Sequence, residues 1–272
     1  MSYSAELIQD LHREKSITLS SFKKQYLELF QLLGPKLRSQ KAIEYLNQGV
    51  LRRMKLVRRC VERIFEIFPP EREELLSSDE LNDIDIHLHA FIIHISGILD
   101  NLAWVIVHER SLESAIGDRM KVGLFKPETQ VHLSPEFRAY LQSPKTRKWH
   151  NRYAKNFRDA LAHRIPLYLP PSTILSSDAD RYQSLECQKM TALIHGDIEG
   201  SDKLGKEADS LQNVCDFFVH SFLEKSARIM LHPQLLVDCK TLVETIHEMR
   251  KDFQIAAASF DLSKTGGDSN ED

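Results

Sequence analysis

The chain has 272 residues, 42% of them hydrophobic and 28% charged, with a formal net charge of −3. That is a soluble globular balance with enough length for a substantial core, as one large domain or two small ones. Ten Gly and ten Pro disfavour a turn-rich all-β chain, and Cys60, Cys187, Cys215 and Cys239 stand far apart without a CxxC, which argues against a disulfide scaffold or a cysteine zinc site.

The opening MSYSAELIQDLHREK lacks the apolar stretch of a signal peptide, so a cytoplasmic location is expected. Beyond it, apolar residues recur at helical spacing almost throughout, and no stretch alternates with a period of two between turn residues. Ser20 or Ser21 caps a predicted helix bearing Phe22, Tyr26, Leu29, Phe30 and Leu33, ended by Gly34-Pro35. A second helix is predicted from Ser39 to Phe68, with Ile43, Leu46, Val50, Met54, Val57, Val61 and Ile64 on its apolar side, stopped by Pro69-Pro70. Ser78 or Asp79 opens a third, reaching about Arg110, with the bundle-type stripe Leu81, Ile84, Leu88, Phe91, Ile92, Ile95, Leu99, Leu102 and Ile106. Leu88 to Val107 would satisfy a hydropathy scan, but His89, His94, Asp100 and Asn101 are costly in hydrocarbon; it reads as a buried core helix, and no membrane is expected.

Residues 111–133, broken by Gly117, Gly123 and Pro127, read as loop with short helix. Ser134-Pro135 and Ser143-Pro144 each carry the cap-then-proline start of a helix, the first reaching about Gln142 and the second about Arg164, where Ile165-Pro166 halts it. PLYLPP, 166–171, is an extended connector. Arg181 to His195 reads as helix and Gly196 to Gly205 as loop; Glu207 to Met230 and Pro233 to Ala258 read as two further helices. The expected organisation is an all-α bundle over 71–260, an N-terminal helical region over 1–70 packing on it, and a disordered acidic tail over 261–272.

Charge is unevenly distributed. Lys36 to Arg63 holds nine basic residues against two acids, Glu71 to Asp85 seven acids against Arg72, and Lys145 to Arg164 seven basic residues against Asp159. Cationic helices in a slightly acidic chain suggest a localised anion-binding surface. The alternative is that the acidic block docks on a basic one within the fold.

The most informative stretch is Asn156 to Pro171, NFRDALAHRIPLYLPP, in which Arg158 is followed directly by Asp159 and, five residues on from the arginine, by His163 near a helix end. This pattern resembles the HEPN superfamily, helical-bundle proteins marked by an Arg, four to six residues, then a His, usually with a polar residue after the Arg. The resemblance extends over about Leu81 to Arg164 and a later helix, and leaves the first 75 or so residues without a counterpart. It implies a HEPN-like bundle, a homodimer whose motifs meet in one composite cleft, and either metal-independent endoribonuclease activity or a non-catalytic module binding RNA, a nucleotide or a protein. It also implies toxin-like or phage-defence roles, with a neutralising protein partner.

The residue chemistry suits RNA cleavage without a metal or other cofactor. Arg158 supplies a permanent charge and a planar fork for phosphate oxygens, and an imidazole such as His163 transfers protons near neutral pH. Asp159 and His163, at i and i+4, share a helix face, so Asp159 is placed to orient the ring. Arg158 points ~140° away from His163 around an ideal helix, so the two converge if the last turn unwinds or if His163 meets Arg158 of a second subunit. Ala160 and Ala162 are small enough to admit another chain closely. Arg152, Lys155, Arg164 and Lys148 are the expected RNA-binding cations. Trp149, Tyr153, Phe157 and Leu161, spaced by four, read as the core face of the same helix.

On the long helix, Asp83, His87, Ala90, His94, Gly97, Asn101, Trp104 and His108 form a polar and small-residue stripe. Asp100, Asn101 and His94 are candidate cleft-lining residues beside Arg158, or members of a polar helix–helix seam. No metal is expected: His87 and His94 lie ~10.5 Å apart along a helix, too far to share one ion. His195-Gly196-Asp197 reads as surface, and no P-loop, GxGxxG, GxSxG or kinase signature occurs.

Overall fold

A computed structural model describes residues 3–33, 36–223 and 227–265, and they form a mostly helical fold. Helix α1, Ala5–Phe30, begins at Ser4, whose hydroxyl accepts from the Leu7 N–H at 3.3 Å. It therefore starts well before the predicted Ser20. Its buried stripe includes Thr18 and Gln25 beside Leu11, Phe22 and Leu29, so the apolar period is broken by polar members.

The predicted helix from Ser39 to Phe68 is present, but its middle is wider. Helix α2, Gln40–Glu44, passes into a π-helical segment, Tyr45–Leu51, and then into α3, Arg52–Ile67. Helix α4, Ser78–Glu109, is fixed at its start by a capping box between Ser77 and Glu80, and Arg72 pairs with Glu80 at 2.7 Å. At the other end, the Glu109 carboxylate accepts from the N–H groups of Arg38 and Ser39 at 2.9 and 3.0 Å, which anchors the start of α2. Gly49 faces Asn101 and Gly97 faces Arg53, so the α2–α3 arm runs antiparallel along α4. An added Cβ at Gly49 would lie 2.7 Å from Asn101 Cγ; only glycine permits that approach. Helix α4 is long and apolar enough to cross a bilayer, and its stripe from Ile84 to Ile106 packs into the core.

Short helices follow: α5, Glu113–Ile116; α6, Pro127–Gln130; α7, Pro135–Gln142; and α8, Pro144–Trp149. Ser134 and Ser143 cap α7 and α8 as expected. A second π-helical segment, His150–Ala154, joins α8 to α9, Lys155–His163. Of the predicted core face, Trp149 and Phe157 are buried and Tyr153 and Leu161 are half-buried against the same core, while Ala154 and Ala160 are the other buried positions of this arm.

Helix α10, Ala179–Ile194, lies where expected, but Gly196 to Gly205 is not a loop: α11, Ile198–Asp209, starts at Asp197, whose carboxylate accepts from the Gly200 N–H at 2.9 Å. Nor is Glu207 to Met230 a helix. Short antiparallel pairs occur instead, β1 (Thr173–Ile174) with β2 (Gln212–Asn213) and β3 (Phe217–Phe218) with β4 (Ile229–Met230), and Tyr168 of the extended PLYLPP connector bridges to Val219. Val214 to Val219 are all buried, a run with no solvent face and thus no amphipathic helix.

Helix α12, Leu231–Thr265, closes the bundle. It runs parallel to α1: Tyr3 meets His232, Glu14 meets Lys240 and Glu28 meets Arg250. Residues from α1, α2, α3, α4, α7 and α12 share one hydrophobic core. The predicted tail overlaps the end of α12 as far as Thr265, and 266–272 lie outside the described residues. Cys60, Cys215 and Cys239 are buried and Cys187 is exposed, all as free thiols.

Candidate functional site

The arm α8–α9 is held against the bundle by a buried contact. Trp149 Nε1 donates to Asp238 Oδ1 on α12 at 2.7 Å, and Gln234 Nε2 donates to the same oxygen at 2.6 Å. This fixes α8 and the π segment above the midpoint of α4. Between them and residues 119–127 opens a cavity of about 770 Å³. Arg119, Lys126, Arg138, Arg147, Lys155 and Arg158 line it, against Asp100 as the single acid.

These cations are not equivalent. Arg138 donates to the carbonyl oxygens of Gln130, Val131 and Leu133 at 2.9–3.1 Å, and holds that turn together. Arg158 pairs with Asp159 at 2.7 Å, and the Arg119 guanidinium sits over Trp104, 5.3 Å from its ring. Lys126, Arg147 and Lys155 have no ion-pair partner among the described residues. On the floor, Ser96 is only 8% exposed, and its hydroxyl has no hydrogen-bond partner among the described residues.

Asp100 is exposed at the cavity mouth, on a helix otherwise packed into the protein. Desolvation by the surrounding protein pushes its carboxyl up, opposed by the nearby charges of Arg158, Arg53 and Lys126. His150 stacks on Phe125 with centroids 3.7 Å apart, and burial, reinforced by Lys155 and Arg158, pushes its imidazole down and favours the neutral ring. The cavity thus combines excess positive charge, a neutral imidazole and a carboxyl shifted toward its protonated form. It is suited to hold a phosphate.

The predicted residues separate. Arg158, Lys155 and Asp100 come together in this cavity. His163 is exposed at the end of α9 and does not line it, and Asp159 bonds Arg158 rather than orienting His163. Arg152 and Arg164 border a smaller cavity of about 250 Å³, where Arg164 donates to Asn156 Oδ1 at 2.6 Å. Lys148 is exposed and borders neither. Ala162 is exposed, but Ala160 is packed in the chain's own interior and is not available to a second chain.

His94 and Asn101 face the other side of α4, toward the α2–α3 arm. His94 Nδ1 lies 3.0 Å from Arg53 Nη1, and burial beside that guanidinium pushes its imidazole down. Both residues line a second cavity of about 920 Å³, and Trp104, Arg119 and Val122 border both cavities.

Sequence reasoning missed His150, Lys126, Arg119 and Ser96, and counted Arg147 only within the cationic 145–164 block. Residues 119–127 fall in the stretch read in sequence as loop with short helix, and their approach to the α8–α9 arm is tertiary; the GLFKP run, 123–127, is the one local signal, a turn presenting an aromatic and a cation. Among the described residues no group of three or more His, Cys, Asp or Glu is arranged to hold a metal ion. Comparison of the chain with known protein families, with curated proteins and with solved structures finds no match in any of the three.

Proposed function

We propose that the protein is an RNA-binding helical module of HEPN type that takes the phosphate backbone into the cavity beside Arg158. The observation that carries this reading is the convergence of six cationic side chains on one cavity with a single opposing acid, three of those cations having no ion-pair partner among the described residues. A phosphate entering there meets lysine and arginine donors at little reorganisation cost, and the Ser96 hydroxyl gains a partner.

A second reading, a metal-independent endoribonuclease acting as a homodimer, is favoured by the exposure of His163 at the tip of α9. In that reading His163 of one subunit removes the proton of a ribose 2′-hydroxyl, whose oxygen attacks phosphorus while Arg158 of the other subunit stabilises the phosphorane. The P–O5′ bond then breaks, a cyclic 2′,3′-phosphate forms, and the 5′-oxygen takes a proton.

Labelled single-stranded RNA titrated with the protein in EDTA, read by anisotropy and by gel, tests both readings. Salt-sensitive binding weakened by Arg158→Ala supports the module. Cleavage by wild type, lost in His163→Ala with binding retained, supports the enzyme. No binding at low salt rejects both.

A further inference from the structure

The second cavity lies across Trp104 from the cavity of Arg158. Its charge is mixed, with Lys41, Arg52, Arg53 and Arg119 set against Glu44, Glu113 and Asp118, unlike its strongly cationic neighbour. What distinguishes it is an aromatic wall. Tyr45, Trp104 and His108 cluster with ring centroids 5.1–5.9 Å apart, and all three line the cavity.

The π-helical segment Tyr45–Leu51 builds this wall. Its wider turn places Tyr45 against α4 and brings Gly49 onto Asn101. The carboxamides of Gln48 and Asn101 line the same cavity and have no hydrogen-bond partner among the described residues. Each offers both a donor and an acceptor, the complement of a heteroaromatic base edge. The two histidines are already engaged, His94 with Arg53 and His108 with Glu113 at 2.7 Å, and Trp104 already meets His108 and the Arg119 guanidinium, so a ligand meets the Tyr45 ring, the remaining part of Trp104 and the amides.

We infer that this cavity is a nucleobase pocket. A base released from its neighbours seats against the Tyr45–Trp104–His108 wall with its edge toward Gln48 and Asn101. Its own phosphate stays on the far side of Trp104, beside Arg119 and within the cationic cavity. Because Trp104, Arg119 and Val122 border both cavities, one nucleotide unit spans them. The inference rests on the phosphate-binding reading and adds what that reading lacks, a site for the base. The occupant is a base-bearing phosphate, either a unit of an RNA strand or a free nucleotide.

The test compares a single-stranded oligoribonucleotide with an abasic ribose–phosphate strand of the same length, both by anisotropy. Wild type is expected to bind the base-bearing strand about tenfold or more tightly than the abasic one, the scale of base–aromatic stacking. Trp104→Leu brings the ratio of the two affinities close to one; the ratio is the readout because Trp104 also borders the cationic cavity beneath Arg119. Gln48→Ala, at an exposed position, lowers the ratio and leaves binding of the abasic strand unchanged. In competition, displacement of the strand by a nucleoside monophosphate but not by inorganic phosphate supports a free nucleotide as occupant; displacement by oligonucleotide alone supports the strand. Equal affinity of wild type for the two strands overturns the base pocket and leaves the phosphate reading standing. Failure of both strands to bind overturns the phosphate reading, and this inference with it.

Discussion

Replacing Asp238 by asparagine removes a carboxyl that α12 buries in contact with Trp149 and Gln234. Burial pushes this carboxyl up from an ordinary value of 3.8 to about 7, against the two donors, which favour the charged form. The folded state therefore keeps a proton that the unfolded chain has released. Stability attributable to this group falls as pH rises through the window between the two values, and the full penalty above it is about 4 kcal/mol. The carboxamide of the Asp238→Asn variant keeps an oxygen for Trp149 and Gln234 but cannot ionise. Urea unfolding of wild type and Asp238→Asn at about pH 5 and about pH 8 isolates the effect, because losses common to both pH values cancel. Over that interval the variant is expected to gain about 2–3 kcal/mol relative to wild type. A difference between the proteins that changes by less than about 1 kcal/mol would falsify the assignment of a protonated carboxyl beneath the α8–α9 arm.

The ion pair of Arg110 with Asp252 at 2.5 Å, whose carboxylate is 2% exposed and also accepts from the Ser134 N–H at 2.7 Å, ties α4 and α12 to the start of α7; Asp252→Ala leaves a guanidinium without its partner and is expected to lower unfolding free energy by about 3–5 kcal/mol, with a loss under about 1 contradicting this. His232 is fully buried, donates from Nε2 to the Phe68 carbonyl at 2.7 Å and accepts at Nδ1 from the Tyr3 hydroxyl at 3.1 Å, and burial pushes its imidazole down from 6.5 to about 4. Its sign is opposite to that of Asp238: stability is present above the ordinary value and lost as pH falls toward the folded one, by about 3 kcal/mol in all, so His232→Leu should flatten the acid side of the Tm–pH profile, and parallel profiles would contradict it. Gly49→Ala drives a Cβ into Asn101 and is expected to cost about 1–3 kcal/mol in thermal or urea unfolding; a neutral outcome means the π segment is not packed as described.

The elements most legible in the sequence are those whose local chemistry and tertiary role agree. Ser134-Pro135 and Ser143-Pro144 mark their helices to the residue, and the α4 stripe is regular because one face packs along its whole length. Helix α1 is half hidden because Thr18 and Gln25 occupy core positions. The segment 210–230 misleads because its apolar run is buried on both sides by partners distant in sequence: Tyr168 bridges to Val219, and Phe157 packs on Phe218. Neither π segment announces itself, since an extra residue in a turn shifts the apolar period by less than the scatter of side-chain types.

At the site, the charge of the 145–164 block and the resemblance around Arg158 point to Arg158, Lys155 and Asp100, and the structure gathers them in one cavity. Nothing in the sequence separates His94 and Asn101 from that group, because α4 presents residues one position apart to different neighbours: Asp100 faces the α8–α9 arm and Asn101 faces Gly49. His150 is beyond reach for another reason. Its significance comes from Phe125 and from cations on other segments, and no local pattern records that meeting.

The cationic cavity is the central claim, and the salt dependence of RNA binding addresses it most directly. Each cation that neutralises a phosphate of a single strand contributes about 0.7 to the slope of log affinity against log salt. The double variant Lys155→Ala, Arg158→Ala should bind more weakly at low salt, with a slope shallower by about 1.4, while Lys148→Ala, outside the cavity, leaves the slope unchanged. A double variant with the wild-type slope and affinity would show that RNA, if bound, does not enter this cavity.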